Sequence, residues 1–120
     1  MSDFAQGAEP QESEDAAMAR EAVDVYLARQ LSEWEGQLGA ATEGTSEYDE
    51  TESYLRAEEG RRAAWRRTGR LDSALALAVD ERARADLKMG AIDPPRREAI
   101  RRGLRELGWD PEVSSDASVR

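Results

Sequence analysis

Residues 71–89, LDSALALAVDERARADLKM, contain the run that decides the fold. Within them, residues 73–79 (SALALAV) form the longest uncharged and mostly apolar run of the chain. Runs of this length occur both in buried strands and in buried helices. Alanine resolves the ambiguity, because it is the best helix former and is depleted in strands. The run therefore predicts a helix.

A stripe of residues with helical spacing, all apolar except Arg82, passes through the same stretch. Two further leucines, Leu77 and Leu87, fall well off that stripe. A helix with apolar residues on more than one side is covered by more than one neighbour. We therefore expect this helix to lie at the centre, with the rest of the chain packed around it. The stripe consists of Leu71, Leu75, Ala78, Arg82, Ala85 and Met89.

Three more helices are predicted on either side of this one. Apolar residues at three- and four-residue steps from Ala16 to Leu38 indicate a first helix, and a Gly- and Ser-containing loop separates it from a second. Asp93 followed by Pro94 is typical of a helix start, and Gly103 allows a close approach to the central helix. We predict an all-α domain, residues 13–109, that is a compact bundle of four helices near 13–38, 46–68, 71–89 and 94–107. Residues 1–12 and 110–120 are predicted to be disordered.

The composition indicates a small core. Leu, Ile, Val and Phe together number 18 of the 120 residues, whereas alanine numbers 20. A core of this size supplies roughly 3–5 kcal/mol on its own, and self-association or a bound partner is the usual remedy. We therefore predict a homodimer, with Tyr54 and Trp65 as candidate interface residues.

Several classes of function are disfavoured by what the sequence lacks. The chain has no cysteine and no histidine, so thiolate chemistry and the commonest general base and metal ligand are missing. No cofactor motif can be assembled, and no apolar run approaches the roughly 18 residues of a membrane helix. We expect a cytoplasmic protein that is not an enzyme, has no cofactor or metal site, and does not bind a membrane.

Charge is divided unevenly along the chain. Residues 1–59 carry 16 acids and 3 bases, a net charge of −13, and residues 60–120 carry 10 acids and 14 bases, a net charge of +4. Acids at this density raise the local negative potential and steer a basic partner. We expect a protein partner with a basic surface, contacted through an acidic cluster. The cluster consists of Glu47, Asp49, Glu50 and Glu52.

One side of the second helix is a further candidate for partner binding, because Tyr, Trp and Arg are enriched at interface hot spots. Glu58 and Arg62 on that side have the favourable orientation of an i, i+4 ion pair. The alternative is a half-buried helix whose arginine stems cover the core. The residues of this side are Tyr54, Glu58, Arg61, Arg62 and Trp65.

The predicted function is a small non-enzymatic regulator or inhibitor of another protein, of the inhibitor, immunity-protein or antitoxin type. One alternative is a nucleic-acid-associated protein that uses the fourth helix, where Arg97, Arg101 and Arg105 are spaced to follow phosphates. Interleaved acids and the negative net charge of −9 argue against this alternative. Arg96 and Arg102 lie beside the arginines that could follow phosphates in the fourth helix. The other alternative is a structural homo-oligomer or assembly component.

Overall fold

The computed structural model describes residues 12–111 and shows four α-helices in that range. They are α1 (Glu14–Ala40), α2 (Ser46–Thr68), α3 (Ser73–Lys88) and α4 (Pro94–Glu106), and the described residues contain no strand. The predicted all-α bundle of four helices is therefore confirmed. The predicted disorder of the termini concerns residues that lie, apart from Glu12, Asp110 and Pro111, outside the described range.

The helices begin at residues that cap them with an oxygen atom. The side chain of Ser13 accepts a hydrogen bond from the backbone N–H of Ala16, and that of Asp93 accepts one from Arg96. Thr45, the residue before the predicted start of the second helix at 46, has this role in α2. Asp72 caps α3, so this helix begins two residues later than predicted. Such caps satisfy backbone donors that have no partner inside the helix.

The bundle packs around α1, and the expectation that α3 lies at its centre is wrong. α1 contacts all three other helices, whereas α2 packs mainly along α1 alone. Leu77 on α3 and Met89 directly after it are exposed, with 47% and 74% of their surface accessible. The alanine-rich run forms a helix, but its small side chains provide too little surface for neighbours on every side. The residues of α3 that are buried are Leu75, Ala76, Val79, Asp80 and Ala83.

The main core lies between the first half of α1, α3, α4 and the end of α2. The first half of the predicted stripe of α1 faces this core, and Trp109 folds back onto it after α4. The turn that returns Trp109 depends on Gly108, whose φ of +112° favours glycine, and the N–H of Trp109 donates to the carbonyl of Leu104 at 3.0 Å. The core cluster consists of Ala19, Val23, Leu27, Trp65, Leu75, Ala76, Val79, Ala83, Ile100, Leu104 and Trp109.

Gly103 brings the backbone of α4 close to α1. A Cβ atom at this position would lie 2.7 Å from the Cβ of Ala19 and would overlap the carbonyl group of Asp15. The predicted close approach is real, but the helix that Gly103 approaches is α1 and not α3. Two helices that meet at small residues can bring their backbones together, and α1 supplies Ala19 at this contact.

We expect Gly103→Ala to lower the free energy of unfolding by at least about 3 kcal/mol, because the added methyl group meets backbone atoms that cannot move aside. Gly60→Ala is the matched control. Gly60 lies inside α2, and no atom lies within 4 Å of the point that a Cβ would occupy, so alanine there should add about 0.5–1 kcal/mol of stability. Urea unfolding followed by circular dichroism measures both. Equal effects of the two substitutions would contradict the proposed packing.

Candidate functional site

The second half of α1 and the first half of α2 form a two-helix projection, which we call the acidic tip and define as residues 30–55. Its buried residues Leu31, Thr51 and Leu55 lie outside the main core cluster. The rings of Trp34 and Tyr54 meet across the two helices with centroids 5.0 Å apart and planes tilted by 32°. The tip is therefore held together by a small set of contacts of its own.

The acidic tip carries seven acids and neither lysine nor arginine. All but Glu52 are exposed. Within the described residues, the ion pair that involves one of these acids joins Glu52 to Arg56, at 3.6 Å. The predicted acidic cluster thus belongs to a larger negative surface that the fold leaves open to solvent. The seven acids are Glu33, Glu35, Glu43, Glu47, Asp49, Glu50 and Glu52.

Two acids at the other end of α1, Asp15 and Glu21, face arginines of α4. Arg102 donates a hydrogen bond to Asp15 at 2.9 Å, and this bond raises the pKa of the Arg102 guanidinium. Arg96 lies 4.0 Å from Glu21. The negative charge of the first half of the chain is therefore partly cancelled inside the bundle, and what is left is concentrated at the acidic tip.

Trp65 and Tyr54, the two predicted interface aromatics, lie in different environments. Trp65 is 5% exposed and belongs to the main core, so its ring cannot serve as a surface contact. Its indole Nε1–H donates to Asp24 at 2.8 Å, and the guanidinium of Arg20 lies 5.5 Å from the ring centroid. Tyr54 is 49% exposed at the acidic tip. Of the two, Tyr54 alone is available to a partner.

The charged residues of the predicted second-helix surface are half-buried. The carboxylate of Glu58 lies 3.9 Å from Arg61, so the nearest cation is one residue earlier than the predicted Arg62. Both charged groups, Glu58 and Arg61, affect the pKa of Tyr26 on α1. Burial raises the pKa of the Tyr26 hydroxyl, Arg61 lowers it, and Glu58 raises it further. These residues line the junction of α1 and α2 and agree with the half-buried alternative.

The arginines of α4 do not form a continuous free stripe. Arg97 is buried, and its guanidinium donates to the carboxylate of Asp80 on α3 at 2.7 Å. Arg101 lies 4.0 Å from the same carboxylate, while Arg105 is exposed. The Asp80–Arg97 pair was not predicted from the sequence. The spacing of the sequence does indicate that Asp80 is buried, because it lies four residues after Ala76 and three before Ala83, on the buried side of α3.

A groove of about 160 Å³ lies between α1, α3 and α4. Its floor is apolar, and the charged groups of its rim largely pair with one another. Arg82 lies 3.0 Å from Asp86, and Arg96 lies 4.0 Å from Glu21. The floor consists of Ala22, Val25, Val79, Ala83, Ile92 and Ile100.

Among residues 12–111, no group of three or more His, Cys, Asp or Glu side chains is arranged to hold a metal ion. In the same residues, none of the helices combines the length and the apolar character required to cross a membrane. Comparison of the chain with protein-family models, with curated proteins and with solved structures finds no match.

Removing one member of the buried ion pair should be costly. We expect Asp80→Ala to lower the free energy of unfolding by about 3–5 kcal/mol, because Arg97 is left charged and buried. The double variant Asp80→Leu/Arg97→Met should recover most of this loss, since neither charge remains. Denaturant unfolding of Asp80→Leu, of Arg97→Met and of the double variant measures the coupling. Additive effects of the single substitutions would show that the pair contributes nothing as a pair.

Tyr26 should ionise above the ordinary tyrosine range. A tyrosine whose pKa is higher in the folded than in the unfolded state stabilises the fold below its unfolded pKa of about 10. That contribution is lost as the pH rises through the folded pKa. Near-ultraviolet absorbance should show a late ionisation step that Tyr26→Phe removes, and alkaline unfolding of that variant should depend less on pH. A late step that persists in Tyr26→Phe would refute the assignment.

Proposed function

We propose that this chain is a non-enzymatic cytoplasmic protein that regulates or blocks another protein, in the manner of an inhibitor, immunity protein or antitoxin. In this proposal the acidic tip docks on a basic site of the partner. The observation that carries the proposal is the contrast between the two ends of α1. Asp15 and Glu21 near α4 face arginines, whereas within residues 12–111 Glu52 is the one acid of the tip that forms an ion pair, with Arg56.

The shape of the tip supports the same proposal. A narrow two-helix projection can enter a concave basic site, including one that otherwise holds phosphates. Tyr54 and Trp34 add an aromatic surface beside the acids, and Tyr is among the residues enriched at interface hot spots. The acids supply steering and specificity, and the aromatic surface supplies area that is removed from water.

Self-association is the second part of the proposal, as the small core predicts. Trp65 has no place in such an interface because it is buried. The nucleic-acid alternative draws no support from α4, where Arg97 is committed to Asp80 and both Arg96 and Arg102 face acids of α1.

Charge reversal tests the role of the tip. We expect Glu43→Lys/Glu47→Lys/Asp49→Lys to abolish capture of the partner from native lysate, where mass spectrometry identifies it, and to weaken binding to the purified partner by about tenfold or more. The matched control Glu14→Lys/Glu81→Lys/Glu98→Lys makes the same change of net charge on exposed acids away from the tip. It should bind normally.

Circular dichroism should show that both variants keep their helices. Titration of the purified partner with the protein at low and high salt completes the test. Binding by the tip should weaken as salt is added, because exposed charges are screened. Undiminished binding by the tip variant, or binding that salt does not change, would rule out the acidic tip as the docking surface.

A further inference from the structure

Helix α2 carries opposite charges on its two halves. Residues 46–59 contain six acids and one arginine, while residues 60–70 contain five arginines and no acid. The helix begins with the acids of the tip and ends, at Gly69, beside the main core. The molecule therefore presents a negative and a positive region at the two ends of one helix.

The arginines at the end of α2 differ from those of α4. Within residues 12–111, the side chains of Arg62, Arg66, Arg67 and Arg70 form no ion pair, although α4 places most of its arginines against acids. Arg66, Arg67 and Arg70 are exposed. The helix dipole stabilises cations in and after the last turn, but it provides no acid with which these arginines could form an ion pair. The fold leaves a cluster of unpaired cations.

One face of α2 joins the two charged regions. It points away from Leu55 and α1, and at helical spacing it runs from Glu50 to Arg67. The residues between these two ends are small, so another helix could approach closely. No atom lies within 4 Å of the position of a Cβ on Gly60. In order, this face consists of Glu50, Ser53, Ala57, Gly60, Ala64 and Arg67, and all but the half-buried Ala64 are exposed.

The positions along this face are symmetric about a point between residues 58 and 59. When two copies of α2 lie antiparallel across that point, Glu50 of one copy stands opposite Arg67 of the other. Ser53 then faces Ala64, and Ala57 faces Gly60. Both ends of the pair form the same contact, as a two-fold interface requires. A parallel arrangement would instead place like charges together.

We infer that two copies of this chain associate through α2, antiparallel, with Glu50 of each copy paired to Arg67 of the other. The inference deepens the self-association proposed above by naming its surface, and it does not depend on the basic partner. An arginine cluster by itself also suits a phosphate polymer. The second copy fits better, because the same face supplies the matching acid at the matching distance. Glu47 lies off this face, so pairing leaves part of the acidic tip accessible.

Disulfide trapping tests the arrangement, because the chain has no cysteine of its own. Ser53→Cys in one copy should cross-link to Ala64→Cys in the other when the two purified variants are mixed and oxidised. Each variant alone should stay uncross-linked, since two residues 53 are about 16 Å apart along antiparallel helices. The control mixture, Ser32→Cys with Glu98→Cys, places exposed thiols away from this face and should not cross-link. Cross-linking of Ser53→Cys with itself would overturn the antiparallel arrangement.

A charge swap tests the pairing through the mass in solution. The unsubstituted protein should show the mass of two chains by light scattering at low salt. Glu50→Arg and Arg67→Glu should each shift this to one chain, and the double variant should restore two. The control Glu81→Arg/Arg84→Glu keeps the net charge and lies on α3, so it should leave the mass unchanged.

The outcomes separate the inference from the broader proposal. A single-chain mass for the unsubstituted protein would overturn self-association and this inference together. A two-chain mass that neither Glu50→Arg nor Arg67→Glu changes would overturn the α2 surface and leave self-association standing. A single-chain protein that binds heparin through Arg66 and Arg67 would assign the arginine cluster to polyanions, and would also overturn the inference.

Discussion

The close contact of α4 with α1 at Gly103 is the constraint on which the rest of the bundle depends. Large aliphatic side chains are scarce in this chain. The van der Waals contacts of the core therefore depend more on the close approach of the helices than on the size of their side chains. With no side chain at Gly103, the α4 backbone lies against Asp15 and Ala19. The same closeness brings Arg102 within hydrogen-bonding distance of Asp15 and lets Trp109 close the core. A longer separation would remove all of these contacts together.

The buried pair of Asp80 and Arg97 adds a second constraint, which concerns register. A buried ion pair contributes little net stability, because removing two charges from water offsets their attraction. Sliding α3 along α4 by one turn, about 5.4 Å, would nevertheless break the 2.7 Å bond and separate the buried guanidinium of Arg97 from Asp80. The pair therefore selects one alignment of the alanine-rich α3 along α4.

The sequence predicted those features that depend on neighbours along the chain. The predicted start of the first helix at residue 13 is correct because the oxygen of Ser13 reaches an N–H three residues away, and the negative charge of residues 43–52 stands out because these residues include no base. The buried side of α3 and the place of Trp65 depend on distant residues instead. Alternating alanine and leucine put apolar atoms on every side of α3, and a tryptophan beside arginines fits an interface as well as a core. Asp24, 41 residues earlier, supplies the acceptor that allows the indole N–H of Trp65 to be buried.

Helix α2 explains why the molecule keeps unpaired charge at all. It buries only Thr51, Leu55 and Trp65, so tertiary packing gives it little support along most of its 23 residues. Its helicity rests on local terms, which are a threonine cap, acids in the first turn, arginines in the last turn, and Gly69 in the left-handed conformation at its end. The dipole of a single helix stabilises acids in its first turn and arginines in its last turn. Two such helices laid antiparallel bring each acidic end to the other's basic end, so the arrangement that stabilises α2 alone also makes it complementary to itself.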